Sequence, residues 1–353
     1  MAVKDIAGNK RARQAILSMA GSGRGEGSFI FTGAVNTGKG YAALQFAKVL
    51  NCLNPGHDGD CCDNCDNCRI TGKVLTQLDE EGRQMHPHTD ITYITTDKSI
   101  MSVEDVKEPV EKFNSYRPLT LKTKILVIEG CERMNDTAQN AILKGLEEPA
   151  KGAAILLICN APDKMLPTII SRCRRFEISP AGTVEIEKAL VKAGVFPPDE
   201  AKKAAEFSGG RIGDAVDFER IRENIKFAKG IFEALASKAD NVEKLFEAAA
   251  AIEAAKTGRK KESENYRIFL LDILKILSYI YKDLALEKTG IKRVVKERYD
   301  IDPGSLRDYT AAKISSILPL LEAAQRDLLN NANNRVLFTT LFFNIRKAGL
   351  SDD

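Results

Sequence analysis

The sequence predicts a doubly wound α/β domain with a parallel sheet, then a small helical lid and an all-helical C-terminal region. Three observations carry this reading. Four short β-branched or apolar runs, Phe29–Phe31, Ile91–Ile94, Ile125–Ile128 and Ile155–Ile158, lie between Ser28 and Ser179, and runs of this kind form strands buried on both faces of a parallel sheet. Helical patterns alternate with them, which is the rhythm of βα units. After Pro180 the strand pattern stops.

Taken in order, the first strand runs into Gly33-Ala34-Val35-Asn36-Thr37-Gly38-Lys39, a glycine turn that opens a helix. Ser102-Val103-Glu104-Asp105 has the spacing of a capping box ahead of another helix. A further helix spans Asn135 to Glu148 and is stopped by Pro149. The predicted boundaries place the α/β domain at 1–179, the lid around Ser208-Gly209-Gly210 at 180–224, and the helical region at 225–353. Within the last, Tyr266 to Leu286 carries its charges at Asp272, Lys275, Lys282 and Asp283 and leaves a broad apolar face, which is core by default. Ala248 to Ala255 reads as a good helix former, Thr257 to Glu262 as a solvated loop, and Val336 to Phe343 as part of a final apolar helix.

Length and composition exclude several classes. A chain of 353 residues has room for two to three domains, at roughly 150 residues each. Its 44% hydrophobic and 29% charged content is that of a globular protein. No apolar run approaches the roughly 18 residues of a membrane span, and the N-terminus lacks a secretory pattern, so a cytoplasmic location with no membrane contact is expected. The net charge of +3 announces no nucleic-acid tail, and no aromatic-interleaved basic strip is visible; Lys122, Lys124 and Arg174 are the cations available for such a role.

The glycine turn has the context in which backbone N–H groups and a helix N-terminus cradle phosphates, making Gly33, Gly38 and Lys39 candidate nucleotide ligands. The next position, where Ser or Thr would hold Mg²⁺, is Gly40. The strand Ile125–Ile128 ends in Glu129-Gly130, so a second acidic residue is missing as well. Both losses argue against hydrolysis, while nucleotide binding without turnover stays open.

Cysteines cluster at Cys52, Cys61, Cys62, Cys65 and Cys68. Four thiolates close a tetrahedral zinc site with no open position, a structural rather than catalytic arrangement. The repeated two-residue gap favours Cys62 over Cys61 beside Cys52, Cys65 and Cys68. His57, His86 and His88 read as loop residues, and Cys131, Cys159 and Cys173 as small buried ones. Ser171-Arg172-Cys173 follows the fourth strand, and a guanidinium at a domain edge can stabilise charge on a phosphoryl group bound by a neighbour.

The order of these elements, with Asn140-Ala141-Ile142-Leu143-Lys144-Gly145-Leu146-Glu147-Glu148-Pro149 between the third strand and Ser171-Arg172-Cys173, resembles the bacterial clamp-loader subunits of DNA polymerase III. The motifs cover about Ile6 to Phe218, and Asn330 to Asn334 ahead of the last helix matches more loosely. The resemblance implies an AAA+ P-loop domain, a lid, and a collar domain for oligomerisation. It further implies motor subunits, a delta subunit, a sliding clamp and primed DNA as partners within the assembly, with ATP bound by neighbouring subunits. Gly40, Gly130 and Gly213, the last at a lid position that motors fill with arginine, make the likeness strongest to the noncatalytic delta-prime type. Arg172 would then complete a neighbour's ATP site, and the alternative is an active motor ATPase of the gamma/tau type.

Overall fold

The computed structural model describes residues 3–21, 25–77, 85, 87–96, 100–236, 242–257, 263–290, 295–302, 310–329 and 332–350. His86, the loop at 258–262 and Asn330-Asn331 lie outside the described residues. The chain forms two units, Met1–Val216 and Asp217–Asp353.

The first unit runs α1 (Lys10–Gly21), β1 (Gly27–Thr32), α2 (Lys39–Asn51), α3 (Asp66–Thr76), β2 (Ile91–Ile94), α4 (Val103–Asn114), β3 (Lys124–Glu129), α5 (Asp136–Glu147), β4 (Ala153–Cys159), α6 (Pro167–Arg172), β5 (Arg174–Glu177), α7 (Thr183–Lys192), α8 (Pro198–Ser208) and α9 (Ile212–Val216). The strands form a five-stranded sheet in the order β2-β3-β4-β1-β5, and every neighbouring pair is parallel. The four predicted strands are all present. The fifth, β5, begins one residue past Arg172, after Cys173, and pairs with β1, Phe29 opposite Arg174 and Phe31 opposite Phe176. It escapes sequence reading because it is an edge strand whose Arg174, Arg175 and Glu177 face water while only Phe176 is buried, a pattern that blunts edge pairing.

Successive strand residues point to opposite faces, so the sheet feeds two cores. Phe29, Phe31, Ile125, Val127, Leu156 and Phe176 pack against α1, α2 and α3. The Phe29 and Phe46 rings meet edge to face at 4.7 Å. On the other face Ile30, Leu126, Ile128, Ile155 and Leu157 pack against Val106, Phe113, Ile142 and Ile169 from α4, α5 and α6. Ser102 and Asp105 form the expected capping box, and Asn135 caps α5 by accepting from Ala138 N at 2.8 Å.

Among the described residues, the elements of the second unit are all helices: α10 (Phe218–Ala236), α11 (Val242–Thr257), α12 (Ser263–Lys288), α13 (Val295–Tyr299), α14 (Ala311–Leu329) and α15 (Asn334–Leu350). The apolar face of α12 is core: Leu270, Ile273, Leu274, Leu277, Ile280 and Tyr281 are buried. Asp272, one of the four charges read off that face, is buried too, paired with Arg220 and accepting from Asn224 Nδ2 at 3.1 Å. No helix among the described residues is long and apolar enough to cross a membrane.

Candidate functional site

In an open parallel sheet, ligands bind beyond the C-terminal ends of the strands where the strand order reverses. Here β1 lies between β4 and β5, and the conspicuous side chains follow the ends of β1, β3 and β4. Beyond β1, Gly33 takes φ +148°, and a Cβ there would stand 2.1 Å from the Ile178 carbonyl oxygen, so only glycine fits. Gly38, at φ 94°, ends the turn and caps α2. Lys39 is 4% exposed, and its Nζ donates to Ala34 O of its own loop at 2.5 Å. Burial lowers its pKa below the ordinary lysine value, an effect that Glu132, Cys159 and Glu129 oppose.

The loop is also held from α9. Gly213 N donates to Asn36 O at 2.9 Å, Asn36 Nδ2 donates to Asp214 Oδ1 at 2.5 Å, and the fully buried Asp214 pairs with Arg211 at 2.8 Å. A Cβ on Gly213 would meet Asn36 Cβ at 3.0 Å, tighter than a side chain there tolerates without a shift. Arg211, just ahead of α9, is thus committed to the Asp214 carboxylate within that helix. These contacts join residues nearly the whole first unit apart in sequence, and no local pattern signals them.

At the end of β3, Glu129 accepts a hydrogen bond from the Tyr93 hydroxyl. Burial and this carboxylate push the Tyr93 pKa up. Gly130 has φ 68°, and its missing Cβ would lie 2.4 Å from Arg133 Nη2, so a guanidinium occupies the space where a second acidic side chain would start. Arg133 Nη1 in turn donates to Thr96 O at 2.5 Å. By contrast nothing lies within 4 Å of a Cβ on Gly40, so the absent hydroxyl there is not imposed by packing. Sequence reading missed Asn160, just past β4, which donates to Glu132 through its backbone N at 3.1 Å and its Nδ2 at 2.7 Å. Its one sequence signal is a polar residue directly after an apolar strand.

Arg172 closes α6 at the surface. Its Nε pairs with Glu147 and its Nη1 donates to Thr168 O at 2.9 Å. Glu147 belongs to the Asn140–Pro149 string, so that string and the Ser171-Arg172-Cys173 motif meet in space. Lys124 is not open to a polyanion, whereas Lys122 is exposed. Lys124 is fully buried, with Nζ 3.5 Å from the Tyr116 ring centroid and donating to Tyr116 O, and burial lowers its pKa to about 8. Lys122 Nζ donates to Cys52 O at 2.5 Å. Arg174, on the exposed edge strand, lies 5.6 Å from the centre of the Phe29 ring.

The cysteine cluster assembles where α2 ends and α3 begins. The Sγ atoms of Cys52, Cys62, Cys65 and Cys68 lie within 4.8 Å of one another. Cys61 is outside the group, buried, with Sγ 3.8 Å from Gln45 Oε1. The donor set fits a structural zinc ion: four sulfurs converge, and backbone N–H groups point at three of them, Cys62 to Cys52 Sγ at 3.2 Å, Cys65 to Cys62 Sγ at 3.3 Å and Leu53 to Cys65 Sγ at 3.4 Å. Burial works against the Cys65 thiolate, yet the N–H groups of Leu53 and Cys68 and the neighbouring thiols outweigh it and lower that pKa to about 6. His57 is exposed, and neither it nor His88 joins a metal-ligating group among the described residues.

Comparison with known proteins places this arrangement. Residues 8–182 match the family model described as DNA polymerase III, delta subunit. Over these residues the chain belongs to the AAA+ clamp-loader subunits of DNA polymerase III. The delta' subunit of Bacillus subtilis is 31% identical over 56% of the chain and 54% of its own length. The tau subunit of the same organism is 29% identical over 42% of the chain and 24% of its own length, and the gamma subunit of Buchnera aphidicola is 29% identical over 61% and 56%. The chain thus spans about half the length, or less, of these clamp-loader relatives. A gamma subunit-related protein of Thermotoga maritima covers 95% of the chain and 99% of its own at 18% identity, with a TM-score of 0.43.

Proposed function

We propose that this chain is a delta'-like, noncatalytic member of a clamp loader, one that supplies Arg172 to the ATP site of a neighbouring subunit while its own phosphate loop does not turn ATP over. The observation that carries the reading is a contrast within one unit. The guanidinium of Arg172 is at the surface and fixed by Glu147 and Thr168, whereas the phosphate loop lacks the Gly40 hydroxyl, the Gly130 carboxylate and any side chain at Gly213.

In this reading Gly33, Gly38 and Lys39 keep the phosphate cradle, but the lysine is satisfied by its own Ala34 carbonyl. Cys52, Cys62, Cys65 and Cys68 hold a zinc ion that fixes the insertion between α2 and α3 and takes no part in chemistry. The partners are motor subunits, a delta subunit, a sliding clamp and, through the assembly, primed DNA. The domain limits 1–179, 180–224 and 225–353 correspond to an ATPase-type domain, a lid and a collar. The place of action is the cytoplasm.

An active gamma/tau-like motor is the second reading, favoured by the intact glycines and Lys39 and by the open space at Gly40. ATP hydrolysis by a reconstituted loader separates the two. With Lys39→Ala or Arg172→Ala in this chain alone, the delta'-like reading expects loss of turnover from the second substitution only. Equal losses establish a motor, and no loss from either refutes the arginine's role.

A further inference from the structure

We propose that Cys131, Glu132 and Cys159 form a second metal site, separate from the four-cysteine cluster and suited to a thiophilic divalent cation such as Zn²⁺. The two thiol sulfurs and a carboxylate oxygen lie within 4.8 Å of one another. Bonds of about 2.3 Å to sulfur set tetrahedral sulfur ligands about 3.8 Å apart, so the group closes around an ion with movements of an ångström or less. Two thiolates and one carboxylate form a donor set that zinc accepts and that Mg²⁺ does not favour.

The backbone explains why these donors meet. β3 and β4 are adjacent parallel strands, and Gly130 N donates to Ile158 O at 3.0 Å, which continues the ladder one residue past β3. The left-handed turn at Gly130 then sends Cys131 back into the core beside Cys159, the last residue of β4, and both are fully buried. Glu132 stays half-buried, and Asn160 holds its carboxylate with two hydrogen bonds, at 2.7 and 3.1 Å. A metal-binding carboxylate is ordinarily oriented in this way by a neighbour outside the coordination sphere. Three protein ligands leave a fourth position for water or an anion. Cys159 lies opposite Thr32, the residue that leads into Gly33, so the position lies beside the phosphate loop. The site that lacks a hard-metal ligand at Gly40 thus carries soft donors a short way off. Binding a divalent ion releases one proton from each thiol, and the two thiolates with Glu132 then outweigh the metal charge by one.

Zinc content and competition titration of the full chain test this. The unaltered chain is expected to hold two Zn²⁺, and Cys131→Ala/Cys159→Ala to hold one. Asn160→Ala is expected to weaken only the second ion, by about 10–100-fold. A single equivalent in the unaltered chain, or two retained by the double variant, overturns the proposal. So does a mass loss of two protons at this pair, marking a disulfide, in place of metal uptake. If the double variant does not fold by circular dichroism, Co²⁺ binding to the unaltered chain decides. Sulfur-to-cobalt charge-transfer absorbance that keeps rising past the first equivalent supports the site, and saturation at one equivalent refutes it.

Discussion

Replacing Glu147 by Gln separates a positioned arginine from one that merely sits at the surface. Arg172 and Glu147 side chains are 35% and 43% exposed, and an ion pair so placed contributes about 0.2–1 kcal/mol to stability. Folding therefore changes little: a loss of about 1 kcal/mol lowers the melting temperature by about 2–4 °C for a unit of this size. An arginine donated in trans to a phosphoryl group, by contrast, is worth about 10³–10⁵ in turnover. Arg172→Ala should remove that whole factor from the one site it completes. Glu147→Gln leaves the guanidinium its contact with Thr168 O and removes only the carboxylate charge. If the pair's 0.2–1 kcal/mol is spent on orientation, the same site slows by about 1.5–5-fold. The assay is single-turnover hydrolysis by the reconstituted loader with clamp and primed DNA, alongside thermal unfolding of each variant chain. Arg172→Lys should resemble Arg172→Ala, because a point charge does not reproduce the planar fork. Unchanged turnover in Arg172→Ala would refute the reasoning. So would a fall in melting temperature many times larger than the one expected, since the residue would then be structural.

Asp90→Asn should destabilise the first unit by about 2–4 kcal/mol in denaturant unfolding, because this fully buried carboxylate accepts from Leu119 N, Thr120 N, Thr120 Oγ1 and Leu121 N. Burial alone would raise its pKa, but these donors hold it below the ordinary value. The stabilisation is therefore complete above about pH 4 and is lost as the pH falls through the lower folded value, a dependence that the Asn variant should lack. Gly33→Ala should cost at least about 2 kcal/mol and yield poorly soluble protein, since a methyl cannot stand 2.1 Å from the Ile178 carbonyl oxygen. Stripping zinc with a chelator, or replacing Cys65 by Ser, should raise the hydrogen exchange of α3 and leave that of α10 to α15 unchanged; equal protection of α3 with and without metal would refute a structural role for the ion.

The fold was legible where local chemistry and tertiary environment agree. β3 and β4 are apolar on both faces because both faces are covered, so their sequences announce them. The capping box at Ser102 and the cap at Asn135 are equally local, one turn of chain satisfying its own donors. β5 was not legible, since an exposed edge strand carries charge at positions that a central strand fills with Val or Ile. Lys124 misleads for a related reason: its stem and ammonium lie among the Phe113 and Tyr116 rings, and a lysine in sequence gives no sign of which faces await it.

What sequence order conceals most is convergence between distant segments, and the region around the Gly33–Lys39 loop is made of such convergences. Gly33, Gly38, Lys39, Glu129 and Arg172 were each found singly from their motifs. The contacts that Asp214 makes with Asn36, Tyr93 with Glu129, and Glu147 with Arg172 were not, although Asn36 and Glu147 stand within those motifs. The partners share a direction. Ala34 O satisfies the lysine, Asp214 engages both Asn36 and Arg211, and Arg133 fills the space beside Gly130. Each takes up a group that a nucleotide site would otherwise leave available for phosphate, metal or water. Arg172 alone is held at the surface, by an exposed carboxylate and one carbonyl that a competing phosphoryl group can displace at small cost. Under the delta'-like reading proposed above, such a chain settles its own phosphate loop with internal contacts and leaves Arg172 for a neighbour, as a stator requires.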